Sequence, residues 1–273
     1  MLPLEDVYAS EQFFEHPDGR STGLASRHTA TQMPTGNNRA FATTRWTLVL
    51  AASRDPTPAS REALAELCER YWPPLYGYAR RQGHTVEEAQ DLTQAFFARF
   101  LEKRDVQDAD PRRGRFRSFL LTAFKHFVAN EHDRERAKKR GGGVLRISLE
   151  VDTAEARYTA EPPDTLTPEA LFERQWALGV IDRVLAKVRA DYVKGGKEAT
   201  FEALKGFLIG EKEQGGYADI ARTLGTTEGA IKVTVHRLRR RFRDALRVEI
   251  GATVSDDSEI DDEIRYLIGV LTG

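Results

Sequence analysis

The sequence predicts an all-α protein: two helical domains joined by a flexible linker, with a helix-turn-helix in the second. Three observations predict this. Apolar residues recur at steps of three and four in two long blocks. Charge follows the same blocks. The 273-residue chain carries 41 Lys and Arg against 42 Asp and Glu, a formal net charge of −1, yet residues 41–140 and 173–250 each carry +5. Residues 1–40, 141–172 and 251–273 carry −2, −4 and −5. Local field rather than net charge steers a polyanion, so this layout is a partner signal. Finally, a short helical pattern, a glycine and a long basic helical pattern follow one another between Tyr217 and Arg247. The boundaries read as a disordered tail (1–42), a first helical domain (43–140), an acidic linker (141–168), a second helical domain (169–250) and an acidic helical tail (251–273).

Composition narrows the class. Hydrophobic residues at 40% and charged residues at 30% fit a soluble globular chain. A single cysteine, Cys68, excludes an internal disulfide framework and reads as cytosolic. There is no run of 18 apolar residues, so no membrane insertion is expected, and no basic-then-apolar N-terminal stretch marks a secretory signal.

The tail is rich in Ser, Thr, Gly, Asn and Pro from Ser21 to Asn38, with a short helix expected near Leu4 to Phe14. In the first block, Leu64, Leu67, Cys68, Tyr71, Leu75 and Tyr78 mark an amphipathic helix, interrupted or kinked at Pro73-Pro74. Thr85 to Glu88 fits a capping box opening a second helix. There Ala89, Leu92, Phe96 and Phe100 face inward, while Glu87, Asp91, Gln94 and Glu102 face solvent or a partner. After a charged loop, Phe116, Phe119, Leu120, Ala123, Phe127 and Val128 form the buried stripe of a third helix. Its other side carries Lys125, His126, Asn130, Arg134, Lys138 and Lys139, and Arg112 to Arg140 holds 10 basic residues against 3 acidic. Such a face tracks phosphates. The phenylalanines sit at helical spacing and read as core before base platform.

Val151 to Thr167, polar and carrying Pro162-Pro163, reads as linker. In the second block, Glu169 to Tyr192 is a long amphipathic pattern broken at Lys194-Gly195-Gly196, and Phe201, Leu204, Phe207 and Leu208 mark another helix. Tyr217, Ile220, Ala221 and Leu224 line a short helix, with small Ala221 where two helices cross closely. Gly225 suits a tight turn, and Thr227 caps the helix whose inward stripe is Ile231, Val235, Leu238, Phe242 and Ala245. Lys232, Thr234, His236, Arg237, Arg239, Arg240, Arg241, Arg243 and Arg247 surround that stripe. In a helix-turn-helix the second helix enters the major groove, its N-terminal half facing base edges and later arginines neutralising phosphates.

With these motifs in view, the chain resembles the bacterial RNA polymerase sigma factors, in particular the small extracytoplasmic-function (ECF) class of the sigma-70 family. The C-terminal likeness lies in Tyr217 to Ala221, Leu224-Gly225 and Glu228 to Arg239, similar to the family's promoter-reading helix-turn-helix. The N-terminal likeness lies in Tyr71 to Tyr78 and Glu88 to Phe97, similar to the helix that docks on the β′ clamp helices, and in Arg115 to Arg140, similar to the segment that opens and reads the −10 element.

The resemblance implies polymerase docking by Asp91 and Gln94, −10 contacts from Arg115, Lys125, Asn130 and Arg134, and −35 contacts from Thr227, Lys232, Val233, His236, Arg237, Arg239 and Arg240. Where the family often has serine and arginine after the lysine, this chain has Val233 and Thr234, so its −35 preference is not carried over. Arg189 to Gly216 is also longer than the compact form of the family. The implied function is binding core RNA polymerase (β′ clamp helices and β flap) and directing promoter recognition and melting in the bacterial cytoplasm. Promoter DNA is the second partner, and an anti-sigma factor or kinase acting on the tails is compatible with the resemblance.

The competing reading is a stand-alone helix-turn-helix regulator with a sensing first domain. An enzyme is not expected, nor a cofactor or metal. The six histidines and Cys68 lack metal-ligand spacing, and Gly210 to Gly215 lacks the Lys-Ser/Thr of a phosphate loop. The tail from Ser255 carries six carboxylates ahead of Ile264, Leu267, Ile268 and Leu271. It reads as a short docked helix, with a sharper alternative in which it shields the basic recognition helix.

Overall fold

The computed structural model describes residues 57–102, 115–137, 151–160, 166–209, 216–254 and 256–272. The tail 1–42, the charged loop 103–114 and the basic residues 138–140 lie outside them. The described residues are helical with no strand, in agreement with the all-α expectation.

Helix α1 spans Pro58–Arg81 and continues through Pro73 and Pro74, where the sequence predicts a break or kink. An interior proline costs about 3 kcal/mol. Here Tyr71, Trp72, Leu75, Tyr76 and Tyr78 are all buried around the pair, and their packing offsets that cost. Helix α2 (Val86–Glu102) opens on the expected capping box: the Glu88 amide donates to Thr85 Oγ1 at 3.2 Å and the Thr85 amide to Glu88 Oε2 at 2.9 Å. Helix α3 (Phe116–Ala137) packs on α1 and α2 through an aromatic cluster. In it Phe96 meets Phe124 at 5.1 Å and Phe127 at 5.7 Å, both edge to face.

Inside the stretch expected to be linker, residues Val151–Ala160 form helix α4, packed on α1. The polar composition hides this because the anchors are long-range. Glu155 accepts from Tyr76 Oη at 2.5 Å and from Arg80 Nε at 3.0 Å, and the Arg80 guanidinium lies 4.9 Å from the Tyr158 ring.

Helix α5 (Pro168–Lys194) starts on a Thr167 cap that accepts from the Ala170 amide at 3.1 Å. Gly196, at φ 66, provides the left-handed turn that ends it. It buries Leu171, Phe172, Trp176, Ala177, Val180, Ile181, Val184 and Val188, too wide an arc for a helix with one partner. It has several: α1 from the first block, α9 and the helix over Glu198–Leu204 from the second, and α10 from the tail. One contiguous apolar core therefore runs through both blocks.

Short helices α6 (Glu198–Leu204) and α7 (Gly206–Ile209) fill the extended stretch before α8 (Tyr217–Thr223). Gly225, at φ 63, makes the turn into α9 (Glu228–Gly251), where Thr227 accepts from the Ala230 amide at 3.2 Å. A 3-10 turn (Asp257–Glu259) capped by Asp256 leads into α10 (Ile260–Thr272). Ile260, Ile264, Leu267, Ile268 and Leu271 of α10 are buried, as a docked helix requires.

Candidate nucleic-acid interface

On the first block, α3 presents its outer face with Lys125, His126 and Asn130 exposed. Beside it, Phe96, Arg99 and Phe100 of α2 and Phe119, Thr122, Ala123, His126, Phe127 and Asn130 of α3 line a cleft of about 260 Å³. Phe116 and Phe127 are core, as their spacing predicts, while Phe119 is half-buried and walls the cleft. Arg99 stands 5.7 Å over the Phe127 ring. Sequence reasoning missed Arg99 and Thr122 because the cleft arises between two helices, and neither helix alone marks it. A floor of aromatic rings with polar groups at the rim suits a planar unpaired base.

Two of the four residues expected to meet the −10 element are occupied within the chain. Arg115 Nε lies 2.6 Å from Glu263 Oε2 of α10. Lys125 Nζ lies 2.5 Å from Glu169 of α5, and the pairing holds the lysine pKa above and the carboxylate pKa below their ordinary values. Asn130 is exposed, and Arg134 lies on the helical part of α3, its side chain outside the described residues. Neighbouring Arg117 is only 3% exposed, pairs with Glu263 and with Glu173 at 2.6 Å, and stacks between Trp176 at 4.3 Å and Tyr266 at 4.6 Å.

The second face is α9. Lys232, Val233, His236, Arg237 and Arg240 are exposed along it, following the exposed cap Thr227. Lys232 pairs with Glu228 one turn back at 2.8 Å, a surface pairing that holds its pKa up and leaves it available to a polyanion. Arg239 does not share this face. It is half-buried, with Nη2 3.4 Å from the Phe207 carbonyl, so it braces α7. Thr234 is half-buried, its hydroxyl donating to the Ala230 carbonyl one turn back at 2.7 Å.

The two docking candidates separate. Asp91 is exposed on α2, whereas Gln94, expected on the same outer face, is 7% exposed. Position 94 lies three residues on from Asp91 and follows buried Thr93 at the edge of the inward stripe, so packing claims it.

Among the described residues, no group of three or more His, Cys, Asp or Glu side chains is placed to hold a metal ion, and no helix is long and apolar enough to cross a membrane. Cys68 is a buried thiol whose pKa is pushed up to about 12, chiefly by burial and then by the Glu69 charge. No curated protein and no solved structure matches the chain. Residues 67–138, from the middle of α1 through α3, match the family model for Sigma-70 region 2. That match covers about a quarter of the chain and supports a Sigma-70 region 2 domain in α1 to α3.

Proposed function

We propose that the chain is a sigma factor of the ECF class, which binds core RNA polymerase and directs it to promoters. In this reading α2 docks through Asp91, the α3 face and its cleft take the −10 element, and α8, the Gly225 turn and α9 act as a helix-turn-helix on the −35 element. The two blocks work as separable domains. The chain performs no chemistry of its own, because bond formation belongs to the polymerase.

The observation that carries the proposal is the Sigma-70 region 2 match over residues 67–138. Two features support its finer parts. The Thr227 cap and the Gly225 turn pre-form α9 with Lys232, Val233, His236, Arg237 and Arg240 outward. Asp91 stands free on α2, where a protein partner reaches it. The test is in vitro transcription from a promoter library with purified core polymerase and the full chain. Discrete start sites that need the chain, together with core binding lost in Asp91→Ala, are expected. DNA binding without core binding would overturn the proposal in favour of a stand-alone regulator.

A further inference from the structure

We infer that helix α10 is an intramolecular gate: Glu263 occupies the Arg115–Arg117 pair and withholds the −10 face from DNA until α10 is displaced. The inference rests on the sigma-factor reading and adds a regulatory device to it.

The argument starts from a carboxylate in the wrong solvent. Glu263 is 0% exposed, on a helix whose inward stripe is otherwise Ile260, Ile264, Leu267, Ile268 and Leu271. An apolar side chain there would continue the stripe. Burying a paired carboxylate instead is often neutral or unfavourable for stability. What it supplies is a charge of the phosphate's sign, presented to two guanidinium groups. Carboxylate and phosphate both pair with arginine, so α10 and a nucleic-acid backbone compete for Arg115, whose Nε lies 2.6 Å from a Glu263 oxygen that makes no hydrogen bond. Tyr266 of the same helix covers the pair from the outer side, 5.2 Å from Arg115 and 4.6 Å from Arg117. Lys125, held by Glu169 of α5, is occupied in the same sense. The face withheld is that of α3, whereas the sequence alone suggested the recognition helix. On α9 the tail helix pairs with Arg247 through Asp261, while Lys232, His236, Arg237 and Arg240 stay exposed.

A second observation lies in the seam between the blocks. Where α1 meets α5, Gln175 is 3% exposed, and both its amide oxygen and nitrogen lack a hydrogen-bond partner. The Nε1 of Trp72 and the Nε of Arg70, both on α1, are buried and unpartnered too, although Arg70 Nη1 crosses the seam to Glu249 of α9 at 2.6 Å. Each such atom costs stability in the closed form and recovers it on meeting water. Geometry requires the opening. Elements at −10 and −35 lie about 25 base pairs apart, roughly 85 Å of duplex at about 3.4 Å per step. A compact chain of about 200 residues is only roughly 40 Å across.

The test compares the full chain with Glu263→Gln for binding of a fluorescein-labelled, mixed-sequence single-stranded DNA, in the absence of polymerase. About tenfold tighter binding by Glu263→Gln is expected, because weakening the closed state raises the competent fraction. Equal or weaker binding by a folded Glu263→Gln overturns the gate. Should that variant fail to fold, hydrogen exchange on the unaltered chain decides. The amides of α10 are expected to lose protection when core polymerase binds, and retained protection overturns the gate. Core binding by the unaltered chain, measured alongside, separates the two ideas. Its absence removes the sigma-factor reading and the gate with it, whereas core binding with either negative result removes the gate alone.

Discussion

The two basic faces, on α3 and on α9, differ in what the fold has done with their charge. Both blocks carry +5 in sequence. On α3 and the residue preceding it, Arg115, Arg117 and Lys125 each meet a carboxylate from the second block or the tail: Glu263, Glu173 and Glu169. On α9, His236, Arg237 and Arg240 are exposed, Lys232 pairs with Glu228 of its own helix and stands over the Tyr217 ring, and at the far end Arg247 pairs with Asp261 of the tail. Equal charge therefore does not mean equal availability. Availability is set by where tertiary structure places the counter-charges, and a carboxylate used to close one face is absent from the other.

The largest way to break this comparison is Arg117→Ala. Removing the guanidinium leaves Glu263 buried with only Arg115 and strips Glu173 of its partner, so a loss of about 3–5 kcal/mol in urea unfolding is expected. The matching change on the open face, Arg237→Ala, should stay within about 0.5 kcal/mol. On the proposed function it should instead lower the slope of DNA affinity against salt by about one phosphate contact. A loss below 1 kcal/mol for Arg117→Ala would mean that the closed face is not held by its charges.

Gly77→Ala tests the same closure without touching a charge. A Cβ at position 77 would lie 2.3 Å from Gln175 Oε1 and 2.8 Å from its Cδ. Because Gln175 is buried it has little room to withdraw, so a loss of about 1–3 kcal/mol is expected, read by thermal melting. An unchanged melt would show that α1 and α5 part easily enough to take up the methyl group.

Much of the fold is legible in the sequence, and the illegible part has one cause. The capping box at Thr85, the turn at Gly225 and the cap at Thr227 are written in neighbouring residues and appear where the pattern places them. Helix α4 reads as linker because what fixes it, Tyr76 and Arg80, lies more than 70 residues away. Gln94 and Arg239 read as outward because helical period gives a face but not its edge, and both sit at the margin where a neighbouring helix closes over. Glu263 is the extreme case. Acidic residues in a first turn read as dipole partners, and nothing local says that one of them crosses to Arg115 and Arg117.

The open face has its own, smaller test. Thr227→Ala removes the acceptor for the Ala230 amide at the start of α9 and should cost about 1 kcal/mol. Because the lost bond sits where α9 begins, DNA binding should weaken with it, while exchange protection of α3 should not move. Matched loss of protection in α3 would show that the two faces are coupled through α5 more tightly than the charge pairs alone require.

The smallest expected effect lies in the pair Lys125–Glu169, and pH gives its sign. The bond to Lys125 lowers the Glu169 pKa from its ordinary 4.5, so its contribution is fully present above that value and is lost as pH falls through the lower folded value. Both side chains are over 40% exposed, which limits the pair to under about 1 kcal/mol. The difference in stability between the unaltered chain and Glu169→Gln should therefore be small at neutral pH and vanish in acid below 4.5. DNA binding responds to the same substitution in the opposite direction. Freed from Glu169, Lys125 gains the outer face of α3, so Glu169→Gln should bind single-stranded DNA slightly more tightly at neutral pH. A variant that is less stable and yet binds better is the signature of a counter-charge that closes a face. One that is less stable and binds worse would make Glu169 a support for the face.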